Sequence, residues 1–262
     1  LVAVALLACA VVAEAQQQSK LFKIGWLTSY KSGSALDQIK KALRALGYTE
    51  GKNIVIEYRF SEGKPDRFPA LADELVRLKV DLILANSTTS ALAAKNATQT
   101  IPIVFTSGGD PVTVGLVDSL AHPGGNLTGF SNIGSELAGK RLELLKETVP
   151  KLSRVAVFGS STSAGNAQQL KEVELAAGAL GVKIQYLDVI DSKGFEIAFR
   201  AAGKGRADAV LMNVTGSVSV PNQKRVPELA VKSQLPVIYE RAIYVEAGGL
   251  MFYGVDLRDF ER

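Results

Sequence analysis

Short apolar runs rich in β-branched residues alternate with longer amphipathic stretches along most of the 262-residue chain. The apolar runs begin roughly 20–30 residues apart, a spacing that favours strand–helix–strand units over hairpins. Some, such as the Val-Ala-Val-Phe run at 155–158, are apolar on both faces, as is typical of parallel strands covered by helices on both sides. The predicted strands cover 23–27, 54–60, 81–85 and 103–106 in the first half, and 154–158, 183–188, 208–213 and 236–239 in the second.

The stretches between these runs carry the periodicity of amphipathic helices. Residues 35–46 repeat leucine and isoleucine at helical spacing and stop at Gly47, and residues 167–180 behave in the same way and stop at Gly181. Glycine is a common residue just after a helix because it adopts the left-handed backbone conformation without strain. Strands and helices thus alternate throughout, which predicts an α/β fold.

The second half of the chain repeats the layout of the first. In each half the third strand ends in asparagine, at Asn86 and Asn213, and the fourth strand follows an apolar residue and a proline. We therefore predict two similar doubly wound parallel-sheet (Rossmann-like) lobes joined by a hinge, with a single eight-stranded sheet as the alternative. Glycine-rich segments at 124–131 and 248–254 are the predicted crossings between the lobes. The predicted borders are 20–127 for lobe one, 131–250 for lobe two and 251–262 for a return crossing to lobe one.

The N-terminus has the pattern of an export signal. Residues 1–12 are almost wholly apolar and are followed by Ala13-Glu14-Ala15, which predicts a secretory signal peptide over 1–15 with cleavage after Ala15. A bilayer-spanning helix needs about 20 apolar residues, more than this segment provides. Leu6-Leu7-Ala8-Cys9 also resembles a lipobox, so lipidation at Cys9 is the alternative. The missing start of the signal, and the helix that Asp256 begins close to Arg262, predict a natural chain longer at both ends.

Composition narrows the function further. The 30 lysines and arginines and 26 aspartates and glutamates give a net charge of +4, and the basic residues are dispersed over helices, Arg141 among them. We interpret these as solvated helix faces, which argues against nucleic-acid binding. Cys9 is the single cysteine and His122 the single histidine. The chain therefore lacks the several cysteines and histidines that zinc sites and most nucleophile–base pairs need. We expect no cofactor, no metal and no catalytic residue.

Two nucleotide-binding motifs fail on inspection. Residues 134–140 nearly match a phosphate-binding P-loop, but Arg141 stands where a serine or threonine should bind Mg²⁺. No GxGxxG pattern follows the first predicted strand, so the sequence gives no indication of dinucleotide binding.

The predicted sheets place the candidate binding residues. Open parallel sheets bind ligands beyond the carboxyl ends of their strands, and the loops there are rich in hydroxyl, amide, aromatic and acidic side chains. The candidate ligand-binding residues are Thr28, Ser29, Tyr30, Asn86, Ser87, Thr88, Thr106, Ser107 and Asp110 in the first half, and Ser160, Ser161, Asn213, Tyr239, Glu240, Tyr253 and Asp256 in the second.

Each candidate role has a structural alternative. The loop at 86–90 opens a helix whose free N–H groups suit a carboxylate, although Ser and Thr there could serve only as N-caps. Asp110 could cap the helix after Pro111 instead of binding an ammonium group. Glu240 and Asp256 are stronger ammonium candidates, although both could be hinge acceptors. The tyrosines could stack on a ring or fill an apolar wall.

Three segments then suggest a family. The sequences IPIVFTSGGDPVTVGL (101–116), HPGGNLTGF (122–130) and AGGLMFYGVD (247–256) resemble ABC-transporter substrate-binding proteins of the tryptophan- and tyrosine-binding branch. The resemblance implies the type I periplasmic binding fold and a periplasmic or surface receptor for a permease and its ATPase. We expect a monomer located in the periplasm. It would take up an amino acid or an aromatic or carboxylate compound and deliver it to an ABC permease. The loop at 159–166 departs from the Asn-Pro-type pattern expected there, so the resemblance does not identify the ligand.

Two other classes of protein share the predicted layout. An enzyme with two Rossmann-like lobes, such as a nucleotide-sugar glycosyltransferase or epimerase, is the main alternative. A sugar-responsive gene regulator would need a helix-turn-helix before the first lobe, where this chain has its predicted export signal.

Overall fold

The structure, a computed structural model, describes residues 21–31, 33–131, 134, 136–214 and 216–255. The predicted signal peptide with Cys9, and the candidate residue Asp256, lie outside the described residues. None of the helices in these ranges is both long enough and apolar enough to cross a membrane.

The first lobe is a parallel sheet with helices on both faces. Its strand order is β2-β1-β3-β4-β5, with every neighbouring pair parallel. Its elements are β1 (Phe22–Thr28), α1 (Gly33–Ala45), β2 (Ile54–Phe60), α2 (Phe68–Arg77), β3 (Leu82–Ala85), α3 (Thr88–Ala97), β4 (Ile103–Ser107) and β5 (Leu127–Ser131).

The second lobe repeats this plan with the order β10-β9-β8-β6-β7, again parallel throughout. Its elements are α4 (Leu137–Thr148), β6 (Arg154–Gly159), α5 (Asn166–Leu180), β7 (Lys183–Asp188), α6 (Gly194–Lys204), β8 (Ala209–Met212), α7 (Gly216–Ser219), α8 (Arg225–Ser233), β9 (Val237–Tyr239), α9 (Ile243–Glu246) and β10 (Met251–Phe252). Two separate sheets of five strands confirm the two-lobed α/β prediction, and the single eight-stranded sheet is wrong.

Each sheet buries apolar side chains on both faces because successive strand residues point to opposite sides. In the first lobe, Leu75 and Ile83 belong to the core under α2 and α3, whereas Trp26, 4% exposed, packs on the other face. In the second lobe, Phe158 and Phe199 meet edge to face with ring centroids 4.9 Å apart. Fully burying one such side chain stabilises the folded protein by about 1.5–3 kcal/mol. The buried clusters of the two sheets are separate, so each lobe has a core of its own.

The predicted helix stops are confirmed by the backbone. Gly181 follows α5 with φ of 65°, and Gly47 lies shortly after α1 with φ of 85°. Both angles belong to the left-handed region that glycine enters without steric cost.

The two predicted crossings contain the fifth strand of each sheet. In the segment 124–131, β5 pairs with β4, and in the segment 248–254, β10 pairs with β9. Residues 251 and 252 therefore extend the second lobe's sheet, a correction to the predicted start of the return crossing at 251. Parallel hydrogen bonding to β9 is the physical reason.

Candidate ligand-binding site

The carboxyl edge of the first sheet carries hydroxyl groups that largely satisfy one another. Ser87 caps α3, with its Oγ accepting the backbone N–H of Ser90 at 3.1 Å. The Thr88 Oγ1 and Ser107 Oγ atoms lie 2.9 Å apart in a buried hydrogen bond, and Ser107 also donates to the Gly109 carbonyl. These hydroxyls hold the loop in shape and leave the exposed groups of the edge to meet a ligand.

Two exposed side chains, those of Asn86 and Thr106, lie at the same edge of the sheet. Thr106 donates its hydroxyl to Asn86 Oδ1 at 3.1 Å, across neighbouring strands β3 and β4. Both residues are exposed, and the Asn86 backbone N–H is held by the Leu27 carbonyl. The sheet thus brings Asn86 and Thr106 together as the sequence predicts.

The carboxyl end of β1 exposes fewer polar groups than the ends of β3 and β4. Thr28 is buried and accepts the Ser61 backbone N–H on its carbonyl, whereas Ser29 is half-buried. Tyr30 is 38% exposed, and its hydroxyl lies over Gly63, where an added Cβ would come within 2.1 Å of that oxygen. Tyr30 therefore borders the edge of the loop and stays accessible.

Asp110 is fully engaged within its own loop. One carboxylate oxygen accepts the Val112 backbone N–H and the other accepts the Thr113 hydroxyl. The Thr113 hydroxyl, followed by the Val112 N–H, lowers the pKa of Asp110. The carboxylate thus holds the turn that begins at Pro111, where the described residues form no helix for it to cap.

In the second lobe, the loop after β6 is held by an acidic residue that the sequence analysis does not single out. Asp188, at the end of β7, accepts the Ser161 backbone N–H at 2.8 Å and the Ser161 hydroxyl at 2.6 Å. Ser160 is buried and donates its backbone N–H to Asn166 Oδ1. The two serines are thus placed at the sheet edge, with Ser161 and Asp188 exposed.

Tyr239 lies in the apolar core and not at the sheet edge, which corrects its predicted placement. Its ring stacks on Tyr244 with centroids 4.8 Å apart, it is 0% exposed, and burial raises its pKa. Strand parity is the reason, because Val237 and Tyr239 share the face of β9 that joins this core. Tyr253, by contrast, is 38% exposed just beyond β10.

Arg141 is the largest correction to the sequence analysis. The side chain predicted to be solvated is 1% exposed. Its Nη2 donates to Asn213 Oδ1 at 2.9 Å and to the Gly134 carbonyl at 3.2 Å, and its Nη1 donates to the Tyr253 carbonyl at 3.3 Å. Burial lowers the pKa of Arg141, while the charge of Glu240 acts in the opposite direction.

A pattern in the sequence could have revealed this burial. Arg141 shares one stripe of α4 with the buried residues Ala138, Leu142 and Leu145, which lie three residues before, one after and four after it. A charge on such a stripe is directed toward the core.

Several buried polar atoms near the carboxyl edge of the second sheet have no hydrogen-bond partner among the described residues. They include Arg141 Nε, Asn213 Nδ2 and Glu240 Oε2, together with the hydroxyl oxygens of Ser219, Tyr239 and Tyr244. Glu240 as a whole is only partly buried, but this oxygen is out of contact with solvent. Desolvation raises the pKa of Glu240 to about 6, against the opposing charges of Arg241 and Arg141. Buried polar groups are normally hydrogen-bonded, so this cluster is suited to a polar ligand.

Comparison with known proteins identifies the family of the chain. A family model described as ABC transporter substrate binding protein matches residues 31–260. The tyrosine-binding protein of Clostridioides difficile strain R20291 is 33% identical over 226 residues, a match that covers 85% of this chain and 64% of that protein. The chain thus spans slightly less than two thirds of that relative's length.

Two solved structures of similar proteins superpose on this chain. The ABC domain from Streptococcus pneumoniae in complex with L-Trp superposes with a TM-score of 0.77 at 25% identity. A ligand-free, open substrate-binding protein with adhesive properties from Clostridium difficile gives a TM-score of 0.58 at 30% identity. Each match covers 92% of this chain and 81% of the other. The chain thus superposes more closely on the tryptophan complex than on the open structure.

Proposed function

Because the chain belongs to the ABC transporter substrate-binding protein family, we propose that it captures a small amino acid or aromatic carboxylate between its two lobes for import. The observation that carries this proposal is the buried, unpartnered cluster at the carboxyl edge of the second sheet. Ligands of open parallel sheets bind at this edge, and unsatisfied buried polar atoms there gain most from a matching ligand.

The two polar ends of the proposed ligand meet opposite lobes. From the second lobe, the Glu240 carboxylate with its free oxygen suits an ammonium group, whereas the Asn213 amide N–H suits an acceptor oxygen of the ligand. On the first lobe, the N-terminus of α3 with Asn86 and Thr106 suits the ligand's carboxylate, because backbone N–H groups and the helix dipole favour negative charge there.

Location and partners follow from the family. Its members are extracytoplasmic proteins that work with ABC transporter components. We propose export by the N-terminal signal with cleavage after Ala15, delivery of ligand to a membrane permease, and a monomeric receptor.

Calorimetry with L-tyrosine, L-tryptophan, benzoate and 4-hydroxybenzoate tests the ligand class. We expect Glu240→Gln to weaken an amino acid at least tenfold and to change the affinity for a benzoate less than threefold, since only the amino acid carries the ammonium group. Glu246→Gln, an exposed acid on the next helix, is the matched control and should leave both affinities unchanged.

The first lobe's half of the site needs its own variant. Ser87→Ala with Thr88→Ala should weaken carboxylate ligands by about 1–3 kcal/mol, because the loop loses its cap and a buried hydrogen bond. If the unmodified protein bound none of the four compounds, the proposed ligand class would be wrong.

A further inference from the structure

Arg141 connects three separate segments of the chain through one side chain. Asn213 follows β8 at the proposed ligand site, Gly134 lies between β5 and α4, and Tyr253 follows β10. The Gly134 segment joins the two lobes, and the sequence predicts that the chain after β10 returns to the first lobe. One guanidinium therefore contacts a ligand loop and both connections of the hinge.

The chemistry of the guanidinium fixes how Asn213 is oriented. An arginine side chain only donates hydrogen bonds, so the amide oxygen of Asn213 must be the atom that faces it. The amide nitrogen then points away, and it has no partner among the described residues. Asn213 thus presents one face to Arg141 and leaves the other for a ligand.

The segment after β10 is also packed tightly against the Glu240 loop. A Cβ added at Gly254 would lie 2.2 Å from the Glu240 carbonyl oxygen, so the two backbones are in direct contact. The Tyr253 backbone N–H donates to the Tyr239 carbonyl at 3.0 Å. Movement of this segment away from the ligand loops would break these contacts together with the hydrogen bond from Arg141 to the Tyr253 carbonyl.

We infer that Arg141 is a positioning residue that couples ligand contact at Asn213 to the two chain segments of the hinge. This inference rests on the proposed function, because it assumes that a ligand reaches the Asn213 amide. A ligand that accepts from Nδ2 holds the amide in place, the amide oxygen holds the guanidinium, and the guanidinium holds the Gly134 and Tyr253 carbonyls. Lysine could not substitute, since it lacks the planar fork that reaches several acceptors at once.

The distance between the lobes provides a test that needs no ligand. Spin labels on cysteines introduced at exposed Arg77 in the first lobe and exposed Lys171 in the second report this distance by pulsed electron resonance. Cys9 is the single native cysteine, and a chain that starts after Ala15 lacks it. We compare Arg141→Met and Arg141→Lys with Lys140→Met, which removes the neighbouring exposed charge on α4.

We expect Arg141→Met to broaden the distance distribution at least twofold in width, Arg141→Lys to broaden it less, and Lys140→Met to match the unmodified protein. L-tyrosine should bind Arg141→Met at least tenfold more weakly and Lys140→Met within twofold. Adding Asn213→Ala to Arg141→Met should cost less than the two single changes together, because coupled residues are not additive.

The outcomes separate this inference from the proposed function. Should Arg141→Met fail to fold, Arg141→Lys carries the test, and a distance distribution equal to that of Lys140→Met would overturn the inference. Additive losses at Arg141 and Asn213 would also overturn it. If the unmodified protein did not bind L-tyrosine, the ligand class would fail, while the distance distributions of the ligand-free variants would still decide the role of Arg141.

Discussion

At the scale of single residues, burial of the Glu240 carboxylate costs electrostatic free energy at the site. Its pKa of about 6 lies above the ordinary value of 4.5, because burial disfavours the carboxylate more than Arg141 and Arg241 stabilise it. The neighbouring Tyr244 has its own pKa raised by burial and by the Glu240 charge. A group placed in this way destabilises the ligand-free protein at neutral pH and is available for a cationic ligand.

The sign of this effect gives a pH prediction. The folded protein takes up the Glu240 proton at a higher pH than the unfolded chain does, so acidification from pH 7 to about 4.5 relieves the cost. Glu240→Gln should raise the free energy of unfolding at pH 7 by about 2 kcal/mol, and this gain should fade toward pH 4.5. Chemical denaturation of both proteins at pH 4.5, 6 and 7.5 measures it, and a gain that does not change with pH would contradict the assigned pKa.

The same residues show which features of the site the sequence predicts and which it does not. Loops at strand ends can be located from the sequence, so Asn86, Thr106 and Asn213 were correctly placed at the sheet edges. Side-chain direction is harder to predict: Tyr239 follows strand parity into the core, and Arg141 follows a helical stripe that its charge had argued against. Both outcomes depend on which neighbours pack against the element, which local composition does not specify.

At the scale of elements, the predicted strands agree with the structure to within one or two residues. Runs that are apolar on both faces have few alternatives to a central parallel strand, which explains the accuracy for β6 and β8. The sequence does not predict β10 as a strand, because it contains only Met251 and Phe252 and lies between glycines. Such a short strand is defined by its pairing with β9 and not by a pattern of its own.

The Asp110 loop gives a prediction at this scale. Asp110→Ala removes the acceptors of the Val112 N–H and the Thr113 hydroxyl, so it should cost about 1 kcal/mol of stability. The affinity for L-tyrosine should change less than twofold, because the carboxylate is already engaged. Thermal melts with calorimetry on the same samples check both statements, and a large loss of affinity at unchanged melting temperature would return Asp110 to the ligand site.

At the scale of the whole molecule, each lobe supplies half of the polar groups that the proposed ligand needs. Each lobe has a hydrophobic core of its own, so we expect ligand binding to change mainly the position of one lobe relative to the other. A ligand can favour the closed arrangement only through contacts that it makes there and not in the open one.

Small-angle X-ray scattering with and without ligand tests the central claim, that a small molecule is held between the two lobes. The protein is measured alone and then saturated with whichever of L-tyrosine, L-tryptophan, benzoate and 4-hydroxybenzoate binds most tightly by calorimetry. We predict a smaller radius of gyration with the ligand, and no change for a variant carrying Glu240→Gln with Ser87→Ala and Thr88→Ala at the same ligand concentration. An unchanged radius in a sample that calorimetry shows to be saturated would contradict ligand capture by lobe closure.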